Sequence, residues 1–414
     1  MLDDVFVDPA ALRRLWSCVL GVHLDDFCTR LEDLGYRRVT VRDKLSVLED
    51  FARWMQAEQV AVGDLDEQRV AQFVRTRRRR RWRRRGTERT LLQLIEQLRC
   101  EGVVPLREPT RDNSPATILL ARYEEHLRRE RGLAPSTILL YRPFVSGFVV
   151  DSLGDVSGGL DALSAGEIRD FLLSRVGRLA PRRLQTLGCA LRSFFRFLFF
   201  RGETAVDLSF AVPTVRQWRL SGVPRHLPAE DVERLLRSCD GTSATGRRDH
   251  AILLLLARLG LRAGEVLTLE LDDLDWREGE IVVRGKGLVR DRLPLLPDVG
   301  AAIALYLRKD RPSGKSRRLF LCRKAPHRGF SHPSSVTTIV ERAFARAGLH
   351  PAARGAHTLR HSLATAMLRH GASLTEIGEV LRHRSPATTE IYAKLDFSAL
   401  RDVALPWPVA GGGR

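Results

Sequence analysis

Between Gly355 and Lys394 the chain reads GAHTLRHSLATAMLRHGASLTEIGEVLRHRSPATTEIYAK, the stretch that most narrows what it can fold into. Leu359, Leu363, Ala366 and Met367 recur at helical spacing, as do Leu374, Ile377 and Leu381. The pattern predicts a helix from about Thr358 to His370, a turn at Gly371, a second helix from about Ser373 to Leu381, a loop, and a third helix carrying Tyr392. Each of the first two helices has an apolar face to bury. The polar residues left over carry the chemistry. His357 and Arg360 stand three apart on the first helix's opening turn, where free backbone N–H groups favour an anion. His383 follows the second helix, and Tyr392 comes nine residues later. Two imidazoles, a guanidinium and a phenol grouped this way can hold a phosphate and attack it. The same outline also fits a helix-turn-helix DNA reader, with His357 near a helix start and Tyr392 as a core aromatic. Taken alone, the stretch leaves both readings open.

The charge of the whole chain narrows the choice of partner. Its 414 residues carry a formal net charge of +18 and a pI near 10.6, which points to a polyanion, with nucleic acid first. No apolar run approaches the length of a membrane span, and the opening MLDDVFVDP is acidic where a signal peptide would be basic, so a cytoplasmic location is expected. Cys18, Cys28, Cys100, Cys189, Cys239 and Cys322 are scattered without a C-x-x-C pair, which argues against a zinc site and suits a reducing compartment. His327, His332, His350, His361 and His370 lack metal-ligand spacing, and neither a phosphate-cradling G-x-x-x-x-G-K-[ST] nor an acidic two-metal cluster is present in the sequence. No metal and no cofactor are expected.

Three domains are expected, at residues 1–108, 109–216 and 217–414. In the first, Val41, Leu45, Leu48, Phe51 and Trp54 keep helical spacing, and Val70 and Phe73 continue it. An arginine-rich segment follows at 75–85, with nine arginines around Trp82, half of the net charge. Such a run is either a solvated face or a sequence-independent grip on a phosphate backbone. After it, Thr87 is placed to cap a last helix that stops at Gly102. The second domain is again helical and matches the first at an offset of 97 or 98. Gly35, Thr40, Val41, Leu48 and Phe51 correspond to Gly132, Thr137, Ile138, Val145 and Phe148, and Leu65, Val70 and Phe73 to Leu163, Ile168 and Phe171. A basic joint with Pro213, Pro224 and Pro228 leads to the third domain.

There, Asp249 to Leu259 predicts a buried helix, with Arg262 at the following turn and Glu265 in the next helix. GEIVVRGKGLVRDRLPLL then reads as a β-hairpin with Lys286 at its tip. Only six lysines occur in the chain, so a lysine at this tip stands out against a background of arginine.

The ordered set of Arg262 in LRAGE, Lys286 in GKG, His357 and Arg360 in HTLRHSLAT, His383 in LRH and Tyr392 in TTEIY resembles the tyrosine recombinases, the lambda-integrase-type site-specific recombinases. The resemblance covers the third domain in order and spacing and, more loosely, the second, which looks like the family's helical, SAM-like core-binding domain. It implies a mainly α fold with a small antiparallel β-sheet, and a mixed α/β catalytic domain. It also implies double-stranded DNA as substrate, and a homotetramer or a hetero-assembly with related recombinases working on it. Integration or movement of a mobile element is the process implied. Two departures stand out: the family's usual glycine before the second histidine is Arg382, and the first domain is additional to the minimal form.

The chemistry of the residues agrees with what the resemblance implies. Displacing an alkoxide from a phosphodiester builds charge on the non-bridging oxygens, which Arg262 and Arg360 can meet with planar forks of donors. His357 and His383 can donate further hydrogen bonds, and His357 is suited to take the phenol proton. Tyr392 would then be the nucleophile of a 3′-phosphotyrosyl link, Lys286 the proton donor to the departing 5′-oxygen, and Glu265 the residue that orients Arg262. A type IB topoisomerase-like enzyme shares this chemistry, and a non-catalytic helix-turn-helix regulator shares the DNA partner.

Overall fold

The computed structural model describes residues 8–79, 86–106, 114–153, 160, 163–214, 224–285, 289–395 and 401. They are mainly helical with one small sheet, and the chain divides into two compact units, one of residues 1–106 with 222–414 and one of 107–221. The first unit therefore draws on an N-terminal and a C-terminal stretch of the chain.

Its N-terminal part packs the helices Pro9–Trp16, Gly21–Asp33, Arg38–Ala57, Glu67–Arg79 and Thr87–Cys100 around Leu24, Phe27, Leu45, Leu48, Phe51, Leu91 and Leu94. The bundle begins where the Asp8 carboxylate accepts the Ala10 amide and Pro9 presets the first turn. Thr87, expected as a cap, is the first helical residue, and Gly86 takes the cap position with φ 86°. Arg77 is not a free surface charge, because it pairs with Asp50 and lies 5.4 Å over the Phe73 ring. Arg80 to Arg85, with Trp82, lie outside the described residues.

This bundle is joined to the C-terminal part of the same unit. The His327 amide donates to the Leu34 carbonyl at 3.0 Å, and Lys315 meets Asp33 at 2.8 Å. Gly35 turns between them with φ 79°, and a Cβ there would fall 2.0 Å from the His327 ring, so only glycine fits.

The C-terminal part is built round the helix Ala244–Arg258, buried along Ala251 to Ala257 and covered by the helices Ala229–Arg237, Pro297–Lys309, Ser334–Arg346 and Ala356–Arg369. Three antiparallel strands stand in the order β1 (Leu274–Asp275), β2 (Glu280–Arg284), β3 (Arg290–Pro294). The expected hairpin is β2 and β3, in the register Ile281↔Leu293 and Val283↔Asp291, with Ile281 and Val283 turned into the core. The two-residue β1 had no signature in the sequence. Lys286 lies outside the described residues, between Gly285 and Val289, whose backbones close the hairpin with a 2.8 Å hydrogen bond.

Beyond the helix Ala356–Arg369 the chain turns at Gly371, and Ser373 and Glu376 form a reciprocal cap on the helix Leu374–Val380. The expected third helix is replaced by two short 3₁₀ turns, Pro386–Thr388 and Glu390–Leu395. Segments this short cannot recover the cost of nucleating an α-helix, and the tighter turn serves instead.

The second unit packs the helices Pro115–Arg129, Pro135–Leu153, Ala165–Arg175 and Pro181–Phe200. Its offset match to the first bundle is structural. Val41 and Ile138, Leu48 and Val145, Phe51 and Phe148, Val70 and Ile168, and Phe73 and Phe171 are all buried. The Phe51–Phe73 and Phe148–Phe171 rings meet edge to face at 5.0 and 5.1 Å. Arg77 over Phe73 is repeated by Arg175 over Phe171, at the same offset.

Candidate active site

Arg360 ties the site together. It is 3% exposed, and its two terminal nitrogens donate to the main-chain carbonyls of Gly260 and Leu381, 100 and 21 residues away in sequence. Those carbonyls lie just ahead of Arg262 and of His383, so one guanidinium pins three separated segments. Gly260 makes the approach possible. Its φ is 60°, and a Cβ there would come within 2.7 Å of a Leu381 methyl and 3.0 Å of a Leu363 methyl. Burial, followed by the nearby charges of Arg262 and Arg382, lowers the Arg360 pKa to about 10, which leaves it cationic.

Arg262 occupies the cap position of the short helix Ala263–Thr268. Its amide donates to one Glu265 oxygen at 2.8 Å and its guanidinium to the other at 2.7 Å. Its side chain keeps 38% of its surface open, while Glu265 is 5% exposed. Burial works to raise the Glu265 pKa, but the Arg262 amide and the Arg382 and Arg262 guanidinium groups outweigh it, so the carboxyl sits below its usual range.

Arg382 enters the same cluster from the far side. Its φ of 55° lies in the left-handed region, which accounts for glycine as the usual occupant. The side chain is 7% exposed and donates to Glu265 at 2.9 Å and to the Val380 carbonyl at 3.2 Å.

The nucleophile candidate is on the other side of Arg360. Tyr392 is 1% exposed, and its hydroxyl lies 2.8 Å from Nδ1 of His361. Burial pushes the phenol up to about 12, with Arg360 partly opposing. His361 is pushed down to about 4, mainly by burial and then by His357 and Arg360, so it is neutral near pH 7. His357 is exposed, with its ring 6.4 Å from that of His361. His383 is held by the Thr389 hydroxyl, 2.7 Å from its Nδ1, and burial followed by Arg360 and Arg262 lowers it to about 4.

Arg262, Arg360, His383 and Tyr392 are thus brought together, with His357 at the edge and Lys286 outside the described residues. The residues that sequence reasoning missed are His361, Thr389 and Arg382's link to Glu265. His361 stands four residues after His357, on the same helical face, and that spacing was the available signal. Among the described residues there is no group of three or more His, Cys, Asp or Glu able to hold a metal ion, and no helix is long and apolar enough to cross a membrane.

Comparison with known proteins bears on the stretch that holds these residues. Positions 225–399 match the Phage integrase family, and 120–202 match the Phage integrase N-terminal SAM-like domain. A putative integrase/recombinase, y4rA, of Sinorhizobium fredii is 43% identical over 400 residues, covering 96% of this chain and 97% of its own. Tyrosine recombinase XerD of Listeria monocytogenes is 32% identical over 281 residues, 66% of this chain and 93% of its own. Among solved structures, the XerH site-specific recombinase in a post-cleavage complex with palindromic difH substrate aligns over 74% of this chain and 92% of its own, with a TM-score of 0.54 at 20% identity. A lambda integrase dimer bound to a COC′ core site aligns over 70% and 99%, with a TM-score of 0.51 at 16% identity. These two carry the likeness of fold. The full-length kinship with y4rA carries the family, and the topoisomerase and regulator readings find no support beside it. The chain belongs to the tyrosine recombinases of the phage integrase family, enzymes of site-specific recombination that cut and rejoin DNA strands.

Proposed function

We propose that Tyr392 attacks a scissile phosphate of double-stranded DNA, forming a 3′-phosphotyrosyl link and freeing a 5′-hydroxyl. The observation that carries this reading is Arg360, whose hydrogen bonds to Gly260 and Leu381 hold the Arg262 and His383 segments beside the tyrosine. Arg262 and Arg360 stabilise the charge on the non-bridging oxygens, and His383, oriented by Thr389, donates to one of them. His361 takes the phenol proton, because its Nδ1 lies 2.8 Å from that oxygen, and His357 contributes a donor from the exposed edge. Lys286 is the proton donor to the departing 5′-oxygen, for which a hairpin lysine is suited. Because the phenol is 1% exposed, attack also needs the turn Glu390–Leu395 to shift.

The parts of the chain divide the work. Residues 217–414 catalyse and 109–216 hold the core DNA. Residues 1–108 add a further DNA-binding bundle whose arginine run grips phosphates irrespective of sequence. A homotetramer, or a hetero-assembly with related recombinases, acts on two duplexes in the cytoplasm and serves integration or mobile-element movement. Because the phosphotyrosyl link conserves the energy of the bond, no nucleotide cofactor is needed. A nicked suicide duplex tests the reading. It should trap the chain covalently on DNA, and Tyr392→Phe, which removes one hydroxyl, should bind DNA normally and form no adduct. An adduct that persists in Tyr392→Phe would place the nucleophile elsewhere.

A further inference from the structure

Arg382 is a buried cation on a backbone that suits glycine. Its φ is 55°, its side chain is 7% exposed, and its Nε is buried without a hydrogen-bond partner among the described residues, with the nearest Asp291 carboxylate oxygen on β3 4.0 Å away. A left-handed backbone and an enclosed charge both oppose folding, so the arrangement needs a compensating interaction. That interaction is with Glu265. One Glu265 oxygen takes the Arg262 guanidinium at 2.7 Å, and the other takes both the Arg262 amide at 2.8 Å and the Arg382 guanidinium at 2.9 Å.

The sharing has an electrostatic consequence. Were Glu265 paired with Arg262 alone, its full negative charge would fall on that guanidinium and compete with a phosphate for it. Arg382 takes part of the carboxylate's charge and braces it from the opposite side. Arg262, Arg360 and Arg382 against the carboxylates of Glu265 and Asp291 leave the cluster with an excess of one positive charge, which glycine at 382 would remove. A phosphorane transition state carries more negative charge than the ground-state diester, so the extra preorganised cation favours the reaction step over binding.

We propose that Arg382 is a positioning residue for strand cleavage: by sharing Glu265 with Arg262, it fixes the Arg262 guanidinium and leaves it free to engage the scissile phosphate. The inference rests on the reading that Arg262 grips that phosphate.

The test is single-turnover adduct formation on the nicked suicide duplex, with the full chain in excess, alongside duplex affinity. Arg382→Gly should slow adduct formation by roughly 10- to 100-fold, the worth of a partly lost oxyanion donor, with affinity changed less than about twofold. Arg382→Lys, which keeps the charge, should restore most of the rate, and Arg382→Gln should not. In a Glu265→Gln background, Arg382→Gly should cost nothing further, because no carboxylate charge is left to share. Glycine is at ease at this φ, so the thermal midpoint of Arg382→Gly should not fall; if it does, the lysine and glutamine variants decide. A wild-type rate in Arg382→Gly overturns the proposal. So does a loss confined to affinity, which would make Arg382 a DNA contact, or a full loss repeated in the Glu265→Gln background. Absence of any Tyr392 adduct in the unmodified chain would instead defeat the broader reading.

Discussion

Arg262 and Glu265 sit beside Leu261 and Val266, and Arg360 beside Leu359, all of them members of the large core of residues 227–359. Tyr392 sits on a single 3₁₀ turn, and its buried neighbours form a small separate cluster of Ala364, Ile377 and Leu381. Arg262 and Glu265 are therefore anchored in the large core and Tyr392 in the small one, with Arg360 bonded to both sides through Gly260 and Leu381. Charge stabilisation depends on donors that are already in place, which favours a rigid setting. A nucleophile that starts buried has to move, and such elements are drawn from the less stable parts of a fold.

The largest effect should come from the rigid side. Arg360→Ala should lower single-turnover cleavage by roughly 10³-fold or more, since it removes a charged donor and the brace between segments. It should also lower the thermal midpoint, because two buried carbonyls lose their partner at about 1–3 kcal/mol each. Loss of rate without loss of stability would mean that Arg360 is no anchor, and the contrast between the two sides would fail.

On the nucleophile side the chemistry and the stability should separate. His361→Phe should slow cleavage by roughly 10²-fold, as expected for a lost general base, and lower the thermal midpoint at pH 7.5 less than Arg360→Ala does, since one buried hydroxyl loses its partner in place of two carbonyls. Unchanged cleavage would return the base role to His357. The same variant tests the pH response. His361 and His383 are both lowered to about 4 from an ordinary value of 6.5. Between those values the unfolded chain binds more protons than the folded one, so stability is complete above about pH 6.5 and falls as pH drops toward 4. His361→Phe should flatten that slope in a pH series of melting curves. An unaltered slope would mean that its burial has been misjudged.

The smallest effect should come from the arginine run. Neutralising Arg78 to Arg81, and sparing the packed Arg77, should weaken binding to all duplexes alike and flatten the dependence on salt, while cleavage per bound complex stays constant. A loss restricted to one sequence would make the run a reader of bases.

The order and spacing of Arg262, His357, Arg360 and His383 were legible because each lies in or beside a helix with a strong local signal, whereas Tyr392 lies on a 3₁₀ turn where a helix was expected. The partner of the tyrosine was not legible. His357 and His361 share a helical face, and only the tertiary placement of the 390–395 turn decides which of them meets the phenol. Arg382 was visible as a departure from glycine, but its meaning depends on a φ angle and on Glu265, which lies 117 residues away in sequence. The repeat could be read from apolar matches alone, and its geometric content, two equivalent Phe pairs each topped by an arginine, needed coordinates.

The seam between the N-terminal bundle and the C-terminal part, closed by Asp33 with Lys315 and by Leu34 with His327, sets a schedule for synthesis. The Asp33–Lys315 pair spans 282 positions, and at about 5–20 residues per second a ribosome needs on the order of 15–60 s to cross that interval. The bundle can pack its own helices at once, but its docking face must wait in solvent while the whole middle unit emerges. A nascent chain of this protein thus passes through a long interval in which the N-terminal bundle has no docking partner.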